Sequence, residues 1–297
     1  MANTLGTTNA NVIAQRALEI LVEDYSWLGR QAVADFSSDA ARYNASVYTS
    51  KLSALTAQDY SQANGYVASA VTQTDVQITL NKFKHVSYSV DDQERTTSAV
   101  NIIERFAGAA AHAIGLQMVG DLLALVTTSN FTTSITVGSG SFSYGWAVSA
   151  GVALNSNKVQ ANGRYAVLSP SYFGALLKDS SVVANPQISG DAVRNAGLGA
   201  VAGFNVNQYP SVPTNGATLG GFFAQQEALV IAARVPEIPT GVPIPGDISI
   251  VTEPRTGLSI MSREHYNIQA GTLQRTLALI YGVAVGESKA LVRVVGS

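Results

Sequence analysis

Between Asp35 and Thr74 the chain runs through Ser, Thr, Ala, Asn and scattered Tyr with no sustained apolar period of either kind. Structureless connections longer than about 12 to 15 residues are uncommon in compact domains. A stretch of this length therefore has to be organised in some way that does not bury an apolar face in its own body. The residues immediately downstream indicate how. Val76, Ile78 and Leu80 fall on one parity, and Val86, Tyr88 and Val90 continue it, with Asn81 to His85 between the two runs. Gln77, Thr79, Ser87 and Ser89 occupy the opposite parity. Such alternation describes a strand with one apolar and one polar face. A long polar excursion that returns through a two-faced strand is most simply an extended hairpin projecting from the body.

The clearest helix comes directly after this strand. Asp91, Asp92 and Glu94 place carboxylates at its start, where they oppose the positive end of the helix dipole. Val100, Ile103, Ala107, Ala110, Ile114, Met118, Leu122 and Leu125 then recur every three or four residues and trace one apolar face, so a long helix is expected over about 92–127. Asn101, Glu104, Arg105, Gly108, His112 and Gly115 lie on its other side. Glycines there weaken a helix but let another backbone come close. His112, with nothing nearby to orient it, reads as a packing residue rather than a base. The Thr/Ser/Gly-rich stretch Thr127 to Ser143 ends the helix.

Upstream, Val12, Ile13, Leu18, Ile20, Leu21 and Val22 fall partly at helical spacing. They describe an arm whose apolar residues, including Tyr25, Trp27 and Leu28, need covering by the chain's own core or by a neighbour. Downstream, a shorter helix is expected from Tyr144 through Val159, and a compact strand over Arg164 to Ser169, closed by Pro170. Another helix runs from Tyr172 to Lys178 with the proline in its first turn. From Gly197 the chain is glycine-punctuated and strand-like up to Pro236, Pro239, Pro243 and Pro245, a run that resists both helix and central strand and reads as the exit of a separate lobe. The tail from Ile248 to Val295 alternates strands and turns, and no internal repeat is present.

Composition narrows the function classes. The 297 residues are 46% hydrophobic, enough for a large core, but only 13% are charged, about half the usual share. A dispersed monomer generally carries more surface charge, so composition alone leaves two readings, a subunit covered by its neighbours or an ordinary Ala/Gly-rich bacterial enzyme. A net charge of -2 leaves no cationic footprint for a dedicated nucleic-acid reader. With no cysteine there are no disulfides, thiolate nucleophiles or Cys-based zinc sites. The N-terminus lacks a basic start and apolar block, from which a cytoplasmic origin is expected. The most apolar stretch, Ala107 to Val126, holds His112, Gln117 and Asp121 and does not read as a membrane span.

Catalytic constellations are weak. His85, His112 and His265 are too scattered for a helix-borne metal pair. Gly197, Gly199 and Gly203 imitate a dinucleotide fingerprint, but Phe204 to Tyr209 reads as strand where a helix is required, so these glycines belong to turns. Gly138-Ser-Gly140 lacks the Lys-Ser/Thr ending of a phosphate loop, and Asn44 and Asn130 match glycosylation acceptors by chance. The acidic pairs Asp91-Asp92 and Glu23-Asp24 lie at helix termini or solvated faces. No cofactor, metal or catalytic residue is assigned, although a triad of distant residues would be invisible here.

The order of parts is arm, polar hairpin, long helix, mixed lobe, proline-marked return and terminal strands. Four phrases carry a resemblance: Val76-Gln-Ile-Thr-Leu-Asn-Lys-Phe-Lys-His-Val-Ser-Tyr-Ser-Val-Asp-Asp92, Arg164-Tyr-Ala-Val-Leu-Ser-Pro-Ser-Tyr172, Gly203-Phe-Asn-Val-Asn-Gln-Tyr-Pro-Ser-Val-Pro213, and Pro254-Arg-Thr-Gly-Leu-Ser259 leading to Tyr281-Gly-Val-Ala-Val285. In that order and spacing the chain resembles the Hong Kong 97-type major capsid proteins of tailed bacteriophages, in their podovirus coat-protein branch. The resemblance implies an α+β fold with an N-terminal arm (1–38), an E-loop or extended β-hairpin (39–90), and a P-domain (91–160) that includes the spine helix. An A-domain (161–247) and P-domain return strands (248–297) complete it.

It also implies a non-enzymatic coat subunit that assembles as hexamers and pentamers into an icosahedral virion shell, built in the host bacterial cytoplasm. Packaged double-stranded DNA would be contacted without sequence preference, and no membrane is involved. The chain shows no long N-terminal extension to act as a fused scaffold and no extra domain inserted in the A-domain, so a separate scaffolding protein and a portal are implied as partners. Assembly contacts are expected at Tyr25, Trp27, Lys51, Tyr66, Lys82 and Lys84. Lys51 falls in the hairpin, but no motif for a lysine–asparagine cross-link accompanies it. The alternatives are an encapsulin-like nanocompartment, which shares the fold but encloses protein cargo, and a small-molecule enzyme with a polar concave pocket.

Overall fold

Alternating and uniformly apolar runs sort the described residues into two six-stranded sheets and a separate two-stranded hairpin. The computed structural model describes residues 18, 32–52, 57–63, 65–66, 68, 73–97, 102–183, 198–238, 246–252 and 257–296. The first strands are β1 (Val33–Ala41), β2 (Ser46–Leu52), β3 (Gln73–Thr79) and β4 (Lys82–Asp91), followed by helices α1 (Asp92–Thr97) and α2 (Ile102–Leu123). Then come β5 (Ser134–Thr136), α3 (Tyr144–Ser156), β6 (Arg164–Leu168), α4 (Pro170–Lys178) and the single turn α5 (Ser180–Val183). The remainder is β7 (Ala200–Val201), β8 (Phe204–Gln208), β9 (Leu219–Gln225), β10 (Leu229–Pro236), β11 (Asp247–Thr252), β12 (Ser259–Asn267), β13 (Thr272–Val285) and β14 (Leu291–Val295).

The first sheet is built around β13. Along one edge it pairs with β4 from Thr272↔Asp91 to Tyr281↔Lys82. Along the other it pairs first with β12 (Asn267↔Thr272 to Met261↔Ala278) and then with β10 (Arg234↔Ile280 to Leu229↔Val285). The sheet is completed by β1, parallel to β10, and by β11, antiparallel to β12. An ion pair of 2.8 Å from Arg234 to Asp35 fastens β1 to its partner. The second sheet has the order β5-β14-β9-β6-β8-β7. Its β7–β8 turn uses Ala202 and Gly203 at φ 51 and 83, the positive values a tight hairpin demands. Gly203, read as a turn residue in the sequence, does serve a turn here.

Helix α1 opens with a capping box. The Asp91 carboxylate accepts from the Glu94 N–H at 2.6 Å, and Glu94 accepts from the Asp91 N–H at 3.3 Å, so two otherwise orphaned donors are satisfied reciprocally. Residues 98–101 of the expected long helix lie outside the described residues. In α2 the expected face is buried at Ala110, Ile114, Met118 and Leu122, together with a second row at Ala111, Val119 and Leu123. Gly115, assigned to the far side, is also buried, whereas His112, read as a packing residue, is exposed.

The helix ends at Leu123, short of the expected 127. The carbonyls at and just past its end are bonded from outside: the Asn215 amide donates to Leu123 O at 2.9 Å and to Val126 O at 2.8 Å. Helix α3 likewise stops at Ser156 rather than Val159. Lys158 takes φ 58, Val159 N–H bonds Leu154 O and Lys158 N–H bonds Asn155 O, a Schellman termination. Helix α4 starts two residues earlier than expected, with Pro170 itself in the first turn.

One core joins both sheets. It contains the inner row of α2, Ile231, Leu277, Leu279 and Tyr281 from the first sheet, and Tyr165, Val167, Phe222 and Leu291 from the second. Leu18 is buried in it too, so this residue of the arm is covered by the chain's own core. On its other face the second sheet carries α3 and α4 through Ala147, Leu154, Phe173 and Leu176.

Three expectations of segment organisation need correction. β10 belongs to the first sheet, so the chain leaves the second lobe at Gln226–Ala228 and not at the proline run; Pro236 merely closes β10. β14, expected among the returning strands, lies between β5 and β9 in the second sheet. Val33–Ala41, at the head of the polar excursion, is a strand of the first sheet. The connection between β3 and β4 shrinks to Leu80 and Asn81, because Lys82 to His85 already pair with β13.

Candidate assembly surface

Strands β2 and β3 pair with each other from Ser46↔Thr79 to Leu52↔Gln73 and with neither sheet. The hairpin is rooted at its base. Ile78 and Leu80 are fully buried against Val230, Ala232 and Ile280, and Asn44 N–H bonds Leu80 O while Leu80 N–H bonds Ala45 O. Asn44 takes φ 65 in the turn that starts the excursion, a conformation asparagine tolerates better than most residues. Beneath the base lies Gly282 of β13, where a Cβ would overlap the Thr79 carbonyl. A cleft of about 390 Å³ separates Thr49, Ser50 and Val76 of the hairpin from Val230, Glu227 and Glu287 of the body.

Beyond its base the hairpin is open to solvent. Tyr48 is 63% exposed, Tyr60 61% and Tyr66 94%, and the rings of Tyr60 and Tyr66 stand 4.9 Å apart. Large aromatic surface of this kind, held away from any core, is characteristic of sites that another molecule covers.

The expected contact residues are distributed unevenly. Tyr25 and Trp27 lie outside the described residues. Lys51 is placed by its backbone in β2, opposite Thr74. Tyr66 is the most exposed of the large apolar side chains among the described residues. Lys82 and Lys84, however, share the parity of Val86, Tyr88 and Val90, the side of β4 that turns toward α2, and Lys82 Nζ lies 4.0 Å from Asp121 on that helix. The same Asp121 carboxylate accepts from Tyr281 OH at 2.6 Å, and burial, then Asp121, raises the Tyr281 phenol. Outward on this strand, beyond Ser87 and Ser89, stand Phe83 and His85, whose rings are 6.5 Å apart. The sequence reading missed them although their parity was legible. It missed Ile268 as well, 85% exposed on the β12–β13 turn that the Asn267 side chain closes by accepting from Gln269 N–H and Ala270 N–H.

A polar cleft of about 680 Å³ lies among the Ser139–Ser143 turn, α4 and Asp179. Its one carboxylate is already engaged. Asp179 accepts from Tyr144 N–H at 2.6 Å, and this bond is the main cause that lowers its pKa. Among the described residues no group of three or more His, Cys, Asp or Glu is placed to hold a metal ion, and no helix is long and apolar enough to cross a membrane.

No family model and no curated protein matches the sequence. Solved structures do. The capsid of the cyanophage P-SCSP1u is similar with TM-score 0.64 at 10% identity, over 90% of this chain and 86% of that one. The capsid of Ralstonia phage GP4 gives TM-score 0.55 at 12% identity, over 89% and 86%. A virus-like particle from Pyrococcus furiosus gives 0.54 at 10%, over 95% and 97%. At such identities the likeness resides in backbone architecture, and that architecture, matched over nearly the whole length, is the Hong Kong 97-type capsid fold.

Proposed function

We propose that this chain is a major capsid subunit that self-assembles, through hexamers and pentamers, into an icosahedral shell around double-stranded phage DNA. The observation that carries the reading is the hairpin β2–β3. A lone two-stranded ribbon is marginally stable in water, and this one, flanked by no other strand among the described residues, displays exposed Tyr48 on β2 and exposed Tyr60 and Tyr66 in the connection between its strands. A neighbouring subunit is the natural cover. The fold likeness to phage capsids supports the same conclusion, and the low charge of the chain suits a molecule whose surface is largely buried between copies.

On this reading residues 1–32 form the arm, the β2–β3 region the E-loop and α2 the spine. The first sheet forms the P-domain and the second sheet, with α3 and α4, the A-domain. Tyr66 and Lys51 are hairpin contacts, Tyr25 and Trp27 arm contacts. A separate scaffolding protein and a portal are the partners, and DNA meets the inner wall through sparse contacts.

The test is expression of the chain alone and with its neighbouring genes, followed by size-exclusion chromatography and negative-stain microscopy. Shells, tubes or capsomer-sized rings are expected. A monomer or dimer under every condition would refute the reading. Deletion of Lys51 to Thr74 should leave a soluble subunit that forms no closed shells.

The likeness to the Pyrococcus furiosus particle favours one second reading, an encapsulin-like compartment for protein cargo. Nuclease-protected DNA inside purified particles supports the phage capsid; co-purifying protein cargo in its place supports the compartment.

A further inference from the structure

Helix α3 carries no charged residue across its thirteen positions, Tyr144–Ser156. Its inner side, Ala147, Ala150 and Leu154, is fully buried on the second sheet. The exposed positions should then form a solvated face, and solvated faces are where Lys, Glu and Arg usually collect. Instead it presents Tyr144, Val148 and Val152 at four-residue spacing, 36%, 41% and 58% exposed. Valine is a weaker helix former than alanine, lysine or glutamate, so two exposed valines in mid-helix do not serve the helix itself. Beside them the hydroxyls of Ser149 and Ser156 donate back to the carbonyls of Gly145 and Val152, each at 3.0 Å. Their protons are already bonded inside the helix, which lowers the cost of drying this face.

We propose that the Tyr144–Val148–Val152 strip is a contact between neighbouring copies of this chain, joining second lobes laterally within the shell; the inference rests on the shell reading above. The occupant is identified by charge and by area. A polyanion such as DNA needs cations, and the strip has none; a charged protein surface would lose its hydration without gaining a counter-charge. The strip is about 12 Å long and about 10 Å wide, so it covers far less than the roughly 800 Å² per partner of a stable pair. A contact this small holds only when it is repeated around a closed assembly in which many such contacts act together. A second copy of the same neutral, small-residue lobe meets both conditions.

The experiment compares the full-length wild type with the double variant Val148→Glu/Val152→Glu. Glutamate favours helix, so the variant subunit should keep its circular dichroism and melting temperature while the yield of closed shells falls at least about tenfold by chromatography and microscopy, the signature of repeated weak contacts acting together. Shells at wild-type yield and size from the double variant would overturn the inference and leave the shell reading standing. Absence of shells from the wild type would instead remove the reading on which it rests. A photo-crosslinking residue placed at Val152 gives an independent readout should the glutamates impair folding. A covalent product of two copies of this chain is expected from assembled particles, whereas a product with any other protein, or none with a second copy, would overturn the assignment.

Discussion

Arg275 is almost wholly removed from solvent in the middle of a cross-strand row, with Tyr88 opposite it on β4 and Glu264 opposite it on β12. Its guanidinium forms an ion pair with Glu264, while Nε and Nη1 find no hydrogen-bond partner among the described residues. Removing one member of a buried pair leaves the other charge uncompensated. Arg275→Ala should therefore lower stability by about 3–5 kcal/mol, and Arg275→Met combined with Glu264→Leu should cost less than either change alone; denaturant melts of Arg275→Ala, Arg275→Met, Glu264→Leu and the double variant decide this. Buried phenols set the alkaline limit. Burial raises Tyr165, Tyr88 and Tyr281, with Asp121 adding to the last. Each stays protonated in the fold at a pH where the unfolded chain, with phenols near pKa of about 10, begins to release protons. Their contribution is thus complete below about pH 10 and falls as pH rises further. Melting temperatures measured from about pH 8 to 11 should hold level and then drop, and Tyr165→Phe should soften the drop.

At the scale of elements the hairpin is the part whose stability can be separated from the rest. Its attachment depends on Ile78 and Leu80, and on the absence of a side chain at Gly282. Gly282→Ala pushes a methyl into the Thr79 carbonyl, and Ile78→Ala leaves a cavity in a cluster far smaller than the main core. Both should loosen β2–β3 before they unfold the sheets, with Ile78→Ala costing about 2–4 kcal/mol. Limited proteolysis should show faster cleavage within the hairpin at temperatures where the melt of the body is intact; cleavage that follows only global unfolding would contradict the argument. The helices are less separable. α2 ends where Asn215, from a loop of the second lobe, bonds the carbonyls at and just past its end, so its length depends on the docking of that lobe.

At the scale of the molecule, the two sheets share one apolar core through α2, and neither lobe can lose its half without exposing the other. Calorimetry of the free subunit should therefore give a single cooperative transition; two resolved transitions would mean that the lobes are independent. Much of this architecture is legible in the residues themselves. The parity of Val76 to Val90, the acidic start at Asp91 and Glu94, the inward row of Ala110, Ile114, Met118 and Leu122, and Pro170 at a helix start are local patterns, fixed by backbone geometry and by which side chains water rejects. The exposed hairpin tyrosines also accord with a segment that has no face to bury. Tertiary structure alone decided the remainder. Leu229–Pro236 and Leu291–Val295 are buried on both faces, and a uniformly apolar run says that a strand is central without saying in which sheet. The parity that sets Lys82 and Lys84 against α2 became an orientation only once the helix had packed there. The ends of α2 and the sheet membership of β10 and β14 depend on partners distant in sequence, because a hydrogen bond or an apolar contact between such residues leaves no trace in the periodicity of either segment.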